Sequence, residues 1–217
     1  MDPTSTQQLE EFFSHYTAMH YDKGERILRE YDASPGVFYI RQGVIRVYLI
    51  SEEGNELTAL MHSTHNIFPL RWAMAGLPNI YNYQSMNGTE VWRAPREAFL
   101  DFIKEHPDSL MQVSQQLIMD CSALVYRLQH TVFGNAYAKV AAVVLTAGKR
   151  FSANSNTGGS VVVEVPLTHQ QIADSAGITR ETASLEMKKL KEEGLISYKG
   201  RSLIINDIES LGKASFL

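Results

Sequence analysis

Residues 167–183 read Leu167-Thr168-His169-Gln170-Gln171-Ile172-Ala173-Asp174-Ser175-Ala176-Gly177-Ile178-Thr179-Arg180-Glu181-Thr182-Ala183. This pattern predicts two short helices joined by a tight turn at Gly177, the second opening on a polar, charged turn. A helix of that kind enters the major groove of DNA. Side chains of its first turn reach base edges, while the preceding helix braces against the backbone. Downstream, Glu193-Gly194 ends the second helix, and Leu195–Tyr198 and Ser202–Ile205 flank Lys199-Gly200-Arg201. Two strands around a basic turn predict a wing, which suits a phosphate contact. Upstream, the small polar run 152–160 has loop composition, and Val161–Val165 follows as a strand.

The segment before this, roughly 96–151, shows no strand-like alternation. A helix at Glu97–Lys104 stops before His106-Pro107, because a residue preceding proline disfavours helix, and proline suits the first turn of the next one. From there Leu110, Val113, Leu117, Cys121, Leu124, Leu128 and Val132 step by three or four along one long helix. Such a stripe fits a coiled-coil seam between two copies of the chain. A helix packed on its own domain is the other reading, and the need of a two-fold DNA reader for a dimer interface favours the seam. Gly134-Asn135 breaks the pattern, and Ala136–Arg150 forms another helix.

The first part of the chain opens with apolar residues at helical spacing, Leu9, Phe12, Phe13 and Tyr16, within Gln7–Tyr16. Short β-like runs follow at Val37–Arg41, Val44–Ser51, Glu56–His62 and Glu90–Ala94. Gly43 separates the first two, and Glu53-Gly54-Asn55 suits a hairpin turn needing positive φ. Closely spaced antiparallel strands of this sort make a small barrel or sandwich.

Composition narrows the function classes. The chain has 217 residues, 44% of them apolar and 20% charged, which is ordinary globular composition. No apolar run approaches the ~18 residues that span a bilayer. No basic, then apolar, leader is visible at Met1-Asp2-Pro3-Thr4-Ser5-Thr6, so a soluble cytoplasmic protein without membrane association is expected. The one cysteine, Cys121, has no intrachain disulfide partner. The net charge of −4 is unevenly spread: residues 1–133 carry 10 Lys and Arg against 16 Asp and Glu, whereas residues 134–217 carry 10 against 8. An acidic half thus precedes a mildly basic one, and DNA affinity would rest on where the charges sit and on doubling by dimerisation.

Taken in order, these pieces resemble the Crp/Fnr family of bacterial transcription regulators. The resemblance runs through Lys23-Gly24-Glu25, Phe38-Tyr39-Ile40-Arg41-Gln42-Gly43-Val44-Ile45-Arg46-Val47, Glu53-Gly54-Asn55-Glu56, Pro107-Asp108 and Leu167–Leu195, nearly the whole chain. It implies an α+β protein in three parts. These are an antiparallel β-roll or jelly-roll sensor domain of the cyclic-nucleotide-binding type (1–105), a dimerisation helix (106–134) and a winged helix-turn-helix (135–217). It further implies a homodimer that binds palindromic double-stranded DNA and contacts RNA polymerase.

By the same resemblance, Arg180 and Glu181 look like base readers, since arginine grips guanine O6 and N7 and glutamate accepts from cytosine N4. Ser184 occupies a position some members use for bases. Thr168, His169, Gln170, Thr179 and Thr182 would anchor to phosphates, with Lys199 and Arg201 on the wing. Lys188-Lys189-Leu190-Lys191-Glu192-Glu193 reads as a solvated helix face, with Ala183, Met187 and Leu190 packed inward. One departure stands out: where the family usually has a second arginine, this chain has Leu185.

The effector is less legible. Nucleotide-binding relatives carry a Gly-Glu pair and then an Arg-Ser pair around the phosphate, whose charge the arginine neutralises. The corresponding region, His65-Asn66-Ile67-Phe68-Pro69-Leu70-Arg71-Trp72-Ala73-Met74, has neither pair. Leu124 and Val125 stand where relatives offer hydroxyls to the base. Both observations argue against cAMP and cGMP, and no cofactor is identifiable. Trp72, Tyr83, Leu124 and Val125 form a candidate small-ligand pocket. A haem or small-molecule sensor acting mainly through protein partners is the alternative, since His62, His65 and Met74 offer ligand types for iron.

An enzyme is not expected. His62 and His65 lack a neighbouring carboxylate at metal-ligand spacing, and no nucleophile elbow or glycine-rich phosphate loop occurs, so no catalytic or metal-binding residue is assigned. If an effector acts, a shift of the paired long helices would set the spacing of the two recognition helices. Phe133-Gly134-Asn135 is the candidate hinge.

Overall fold

The structure, a computed structural model, describes residues 3–150, 160–163, 167–200 and 202–215. The chain divides into two compact units, Met1–Glu53 with Ala59–Ala123, and Gly54–Thr58 with Leu124–Leu217. The division falls inside the longest helix.

The first unit starts with α1 (Pro3–Ser14), followed by β1 (Thr17–Tyr21), β2 (Arg26–Leu28), β3 (Val37–Gln42), β4 (Val44–Ile50), β5 (Glu56–Ser63) and β6 (Ile67–Phe68). After these come α2 (Leu70–Ala75), β7 (Asn82–Ser85), β8 (Thr89–Ala94), α3 (Arg96–Glu105) and α4 (Pro107–Phe133); α4 from Leu124 onward and the start of β5 up to Thr58 belong to the other unit. The strands make two four-stranded sheets ordered β1-β8-β3-β6 and β2-β7-β4-β5.

Alternation on β3 shows how the roll is built. Phe38 and Ile40 join Tyr21, Ile45, Val47, Phe68, Tyr83 and Val91 in a core drawn from both sheets. Val37 and Tyr39 point the other way, into a second core with Leu9 and Phe13 of α1, Phe99 and Ile103 of α3, and Val113 of α4. Successive side chains of a strand face opposite sides, so a strand buried on both reads as a continuous apolar run. All four residues from Val37 to Ile40 are buried. Rings fill the interior: Phe68 stacks on Phe38 at 5.0 Å and on Tyr83 at 4.9 Å.

The expected strands of this unit are present. The short elements β2, β6 and β7 and the helix α2 are not legible in the sequence, because two to six residues are too few for a period to show. The edge strand β1 is exposed over most of its length, so it lacks an apolar alternation.

Polar contacts fasten α4 to this unit. The buried Gln116 side chain donates to Ile67 O at 2.8 Å and accepts from Ile67 N at 2.9 Å, completing the free edge of β6. His62 Nε2 lies 3.1 Å from Asp120 Oδ2, Ser109 donates to Gln8, and Gln112 donates to Thr6. A buried backbone group left without a partner costs about 1–3 kcal/mol, so Gln116 sets the seat of the helix on the sheet.

The second unit continues with α5 (Ala136–Arg150), β9 (Val161–Val163), α6 (His169–Ala176), α7 (Arg180–Glu192), β10 (Ile196–Lys199), β11 (Ser202–Ile205) and α8 (Ile208–Ala214). Asn135 caps α5 by accepting from Ala138 N at 2.9 Å. The helix α5 is central, packing on α6, α7 and α8, and the strands form an antiparallel sheet ordered β10-β11-β9. Small residues on α5, Ala138, Ala141, Ala142 and Ala147, are buried and let its neighbours approach closely. The end of α4 is tied into this unit: Tyr126 and Ser215 share a hydrogen bond of 3.2 Å, and Arg127 donates to Asp174 O at 3.3 Å.

Candidate nucleic-acid interface

The helix pair is set by its caps. Thr168 precedes α6 in an extended conformation; its hydroxyl accepts from Gln171 N, and the Gln171 side chain accepts from Thr168 N. This reciprocal arrangement is a capping box, worth about 1 kcal/mol. Gly177 closes α6 with φ of 65°, the left-handed region that costs a residue with a side chain about 1–2 kcal/mol. Thr179 then caps α7, accepting from Thr182 N at 3.2 Å, with the two threonine hydroxyls 2.9 Å apart.

On α7 one face is buried and the other open. Ala183, Met187 and Leu190 are fully or almost fully buried, as the spacing predicts. Arg180, Glu181, Leu185, Lys188 and Lys189 are exposed, and Thr182 and Ser184 are half-buried. Arg180 and Glu181 therefore extend from the first turn, where backbone N–H groups and the helix dipole also favour an anionic partner. Lys189 pairs with Glu186 at 2.9 Å and Lys188 with Glu192 at 3.6 Å, in keeping with a solvated face.

His169 is half-buried at the start of α6, and Gln170 is exposed, donating to Asp174 at 2.7 Å. Lys199 is exposed at the end of β10, before Gly200 with φ of 63°. Arg201 and the expected strand residues 164–165 lie outside the described residues, as does most of the polar run 152–160. Sequence reading missed two things here. Thr168 and Thr179 act as caps, a signal present for Thr168 in the Thr-x-x-Gln spacing of 168–171. Tyr198, on the wing strand, is also exposed.

Along α4 the apolar residues separate into two faces. Leu110, Leu117, Cys121, Leu124, Leu128 and Val132 are exposed, Leu128 and Val132 each at 62%. Val113 departs from the seam reading: it is 1% exposed and belongs to the core of the first unit. Its position turns it away from the stripe and towards Ile103, so it packs on its own domain. Val125, Ile118 and Met111 widen the exposed stripe.

Within the first unit, the candidate ligand residues Trp72 and Tyr83 do not converge. Tyr83 sits in the roll interior against Phe68, whereas Trp72 packs on the second core, on the opposite face of the sheet, under the Arg96 guanidinium at 5.7 Å. The sheet lies between them. Leu124 and Val125 are exposed on α4. His65 Nδ1 is hydrogen-bonded to the Tyr39 hydroxyl at 2.8 Å, His62 pairs with Asp120, and Met74 packs on the second core, so the three side chains considered for iron face separate neighbours. Among the described residues no group of three or more His, Cys, Asp or Glu could hold a metal ion, and no helix is long and apolar enough to cross a membrane.

Two family models match the chain in order: a cyclic nucleotide-binding domain over residues 18–106 and a Crp-like helix-turn-helix domain over residues 138–214. The cAMP-activated global transcriptional regulator CRP of Salmonella typhimurium is 23% identical over 204 residues, which are 94% of this chain and 96% of that protein. The nitrogen fixation regulation protein FixK of Bradyrhizobium diazoefficiens is 26% identical over 190 residues, 88% of this chain and 78% of that one. Among solved structures, a mutant of CooA from Carboxydothermus hydrogenoformans superposes with a TM-score of 0.77 at 21% identity, covering 94% of this chain and 90% of that one. FixK2 from Bradyrhizobium japonicum gives 0.77 at 18% identity, covering 93% and 98%. The chain belongs to the Crp/Fnr family and is a DNA-binding transcription regulator. Its relatives are regulators, not enzymes.

Proposed function

We propose that the protein binds a palindromic DNA operator as a homodimer, joined along α4, with α7 in the major groove and Lys199 of the wing on the backbone. The exposed apolar stripe on α4 carries this reading. A helix that leaves Leu117, Leu124, Leu128 and Val132 open to water has unburied apolar surface, and contiguous patches of that kind mark interaction sites. A second copy of the same stripe is its natural cover, because apolar residues three and four apart interdigitate along paired helices. Two α7 helices related by a two-fold axis would then read two half-sites about one DNA turn apart.

The test is selection of bound duplexes from a random DNA pool, together with the sedimentation mass of the protein. A two-fold symmetric consensus and a dimer mass are expected. A monomer that selects a single half-site would overturn the reading, and so would affinity independent of salt. Contact with RNA polymerase from a promoter-proximal site rests on the family resemblance and is read by transcription from such a template.

The sensor domain is not built for a cyclic nucleotide. The segment 65–74 lacks the Gly-Glu and Arg-Ser pairs that hold the phosphate in nucleotide-binding relatives. Its Phe68 and Leu70 are buried, and Arg71 donates to Pro78 O at 3.3 Å. Saturating cAMP is expected to leave the melting temperature and operator affinity unchanged; a rise in either would overturn this part.

A further inference from the structure

The outward face of α7 carries charged and hydroxyl groups with one exception. Leu185 is 61% exposed, while the helix's other large apolar side chains, Met187 and Leu190, are buried. It stands one turn after Glu181 and one turn before Lys188 and Lys189, so it shares the face that the first turn of the helix presents. A leucine gains nothing from water there, and most of its surface is left open. It also has no hydrogen-bonding atom with which to read a purine edge. The major groove offers an apolar feature that a leucine can recognise, the C5-methyl group of thymine.

We infer that Leu185 is a specificity residue that reads a thymine methyl in each half-site, next to the bases read from Arg180 and Glu181. This rests on the placement of α7 in the major groove under Proposed function. The selectivity is modest in size. Covering one methyl group is worth about 0.8 kcal/mol, close to a fourfold change in affinity. Such a contact neutralises no phosphate, so it leaves the salt dependence of binding untouched.

The experiment replaces each thymine of the selected operator in turn by deoxyuridine, which removes only the methyl group. Affinity is measured for the wild-type dimer and for Leu185→Ala. At one position per half-site the wild type is expected to lose about threefold to fourfold, and Leu185→Ala to lose nothing, with equal salt slopes for both proteins. Indifference of the wild type to every replacement, or equal loss in both proteins, would overturn the assignment while the DNA reading stands. Failure to select any salt-sensitive duplex would overturn both together. The high exposure of Leu185 keeps the fold out of the result, and matching melting curves for the two proteins verify it.

Discussion

Thr179, Arg180 and Glu181 occupy three successive positions and perform different physical tasks. Thr179 holds the start of α7 by accepting from Thr182 N. Arg180 and Glu181 leave that start exposed to solvent. Removing Arg180 should therefore weaken the preferred operator by about 1–3 kcal/mol and relax the base preference at its position. Removing Lys199, on the wing, should weaken all sequences alike and lower the salt slope by about one. Binding titrations of Arg180→Ala and Lys199→Ala at several salt concentrations separate the two; identical behaviour would mean that one of the roles is misassigned. The family resemblance implies a phosphate anchor at Thr179, and the geometry adds the cap.

At the scale of elements, α4 has two faces with different partners. Gln116, Asp120 and Val113 bind it to the first unit, while the stripe from Leu110 to Val132 stays open. Its end is a tight junction. Gly134 N donates to His130 O at 2.9 Å, and a Cβ at Gly134 would lie 2.6 Å from that same oxygen. Gly134→Ala must displace the junction with α5. A stability loss of about 1–3 kcal/mol in denaturant unfolding and an altered operator affinity are expected, and an unchanged value in both would count against a hinge there. His130 itself is buried beside the Tyr126 ring, 4.3 Å between centroids.

Burial disfavours the imidazolium and holds the His130 pKa below its ordinary value of 6.5. The folded state thus resists a proton that the unfolded chain accepts. The His130 contribution is whole above about pH 6.5 and is lost as pH falls from there through the folded pKa. Thermal melts between pH 8 and 5 should show this loss, and His130→Gln should remove that part of the slope. A pH profile identical in the two proteins would rule His130 out as its source.

For the whole molecule, the outward stripe on α4 and the open face of α7 belong to one design if two chains pair. Cys121 lies in the middle of the stripe and is exposed, so pairing would bring two copies of it together. A disulfide needs Cα atoms within about 7 Å, a distance met along the seam of paired helices. Mild oxidation should give a reducible covalent dimer that Cys121→Ser does not form. A monomer under these conditions, with Cys121 still reactive to a thiol reagent, would place the two-fold axis elsewhere. The uneven charge bears on the same point. Residues 134–217 exceed neutrality by only two positive charges, so two copies on one duplex double a modest attraction.

The sequence by itself determined the winged helix-turn-helix, the order of the parts and the long helix. These are encoded in local signals: the helical period of Ala183, Met187 and Leu190, the glycine at 177, the proline at 107 and the basic turn after Lys199. Local signals survive because they depend on neighbours within one or two turns. The tertiary structure alone decided that Val113 leaves the stripe for the core, that Trp72 and Tyr83 lie on opposite faces of a sheet, and that Gln116 completes the edge of β6. In each case the partner comes from tens of residues away, as with Gln116 and Ile67. A period of three or four residues records which side chains share a helix face, but it carries no information about what that face meets.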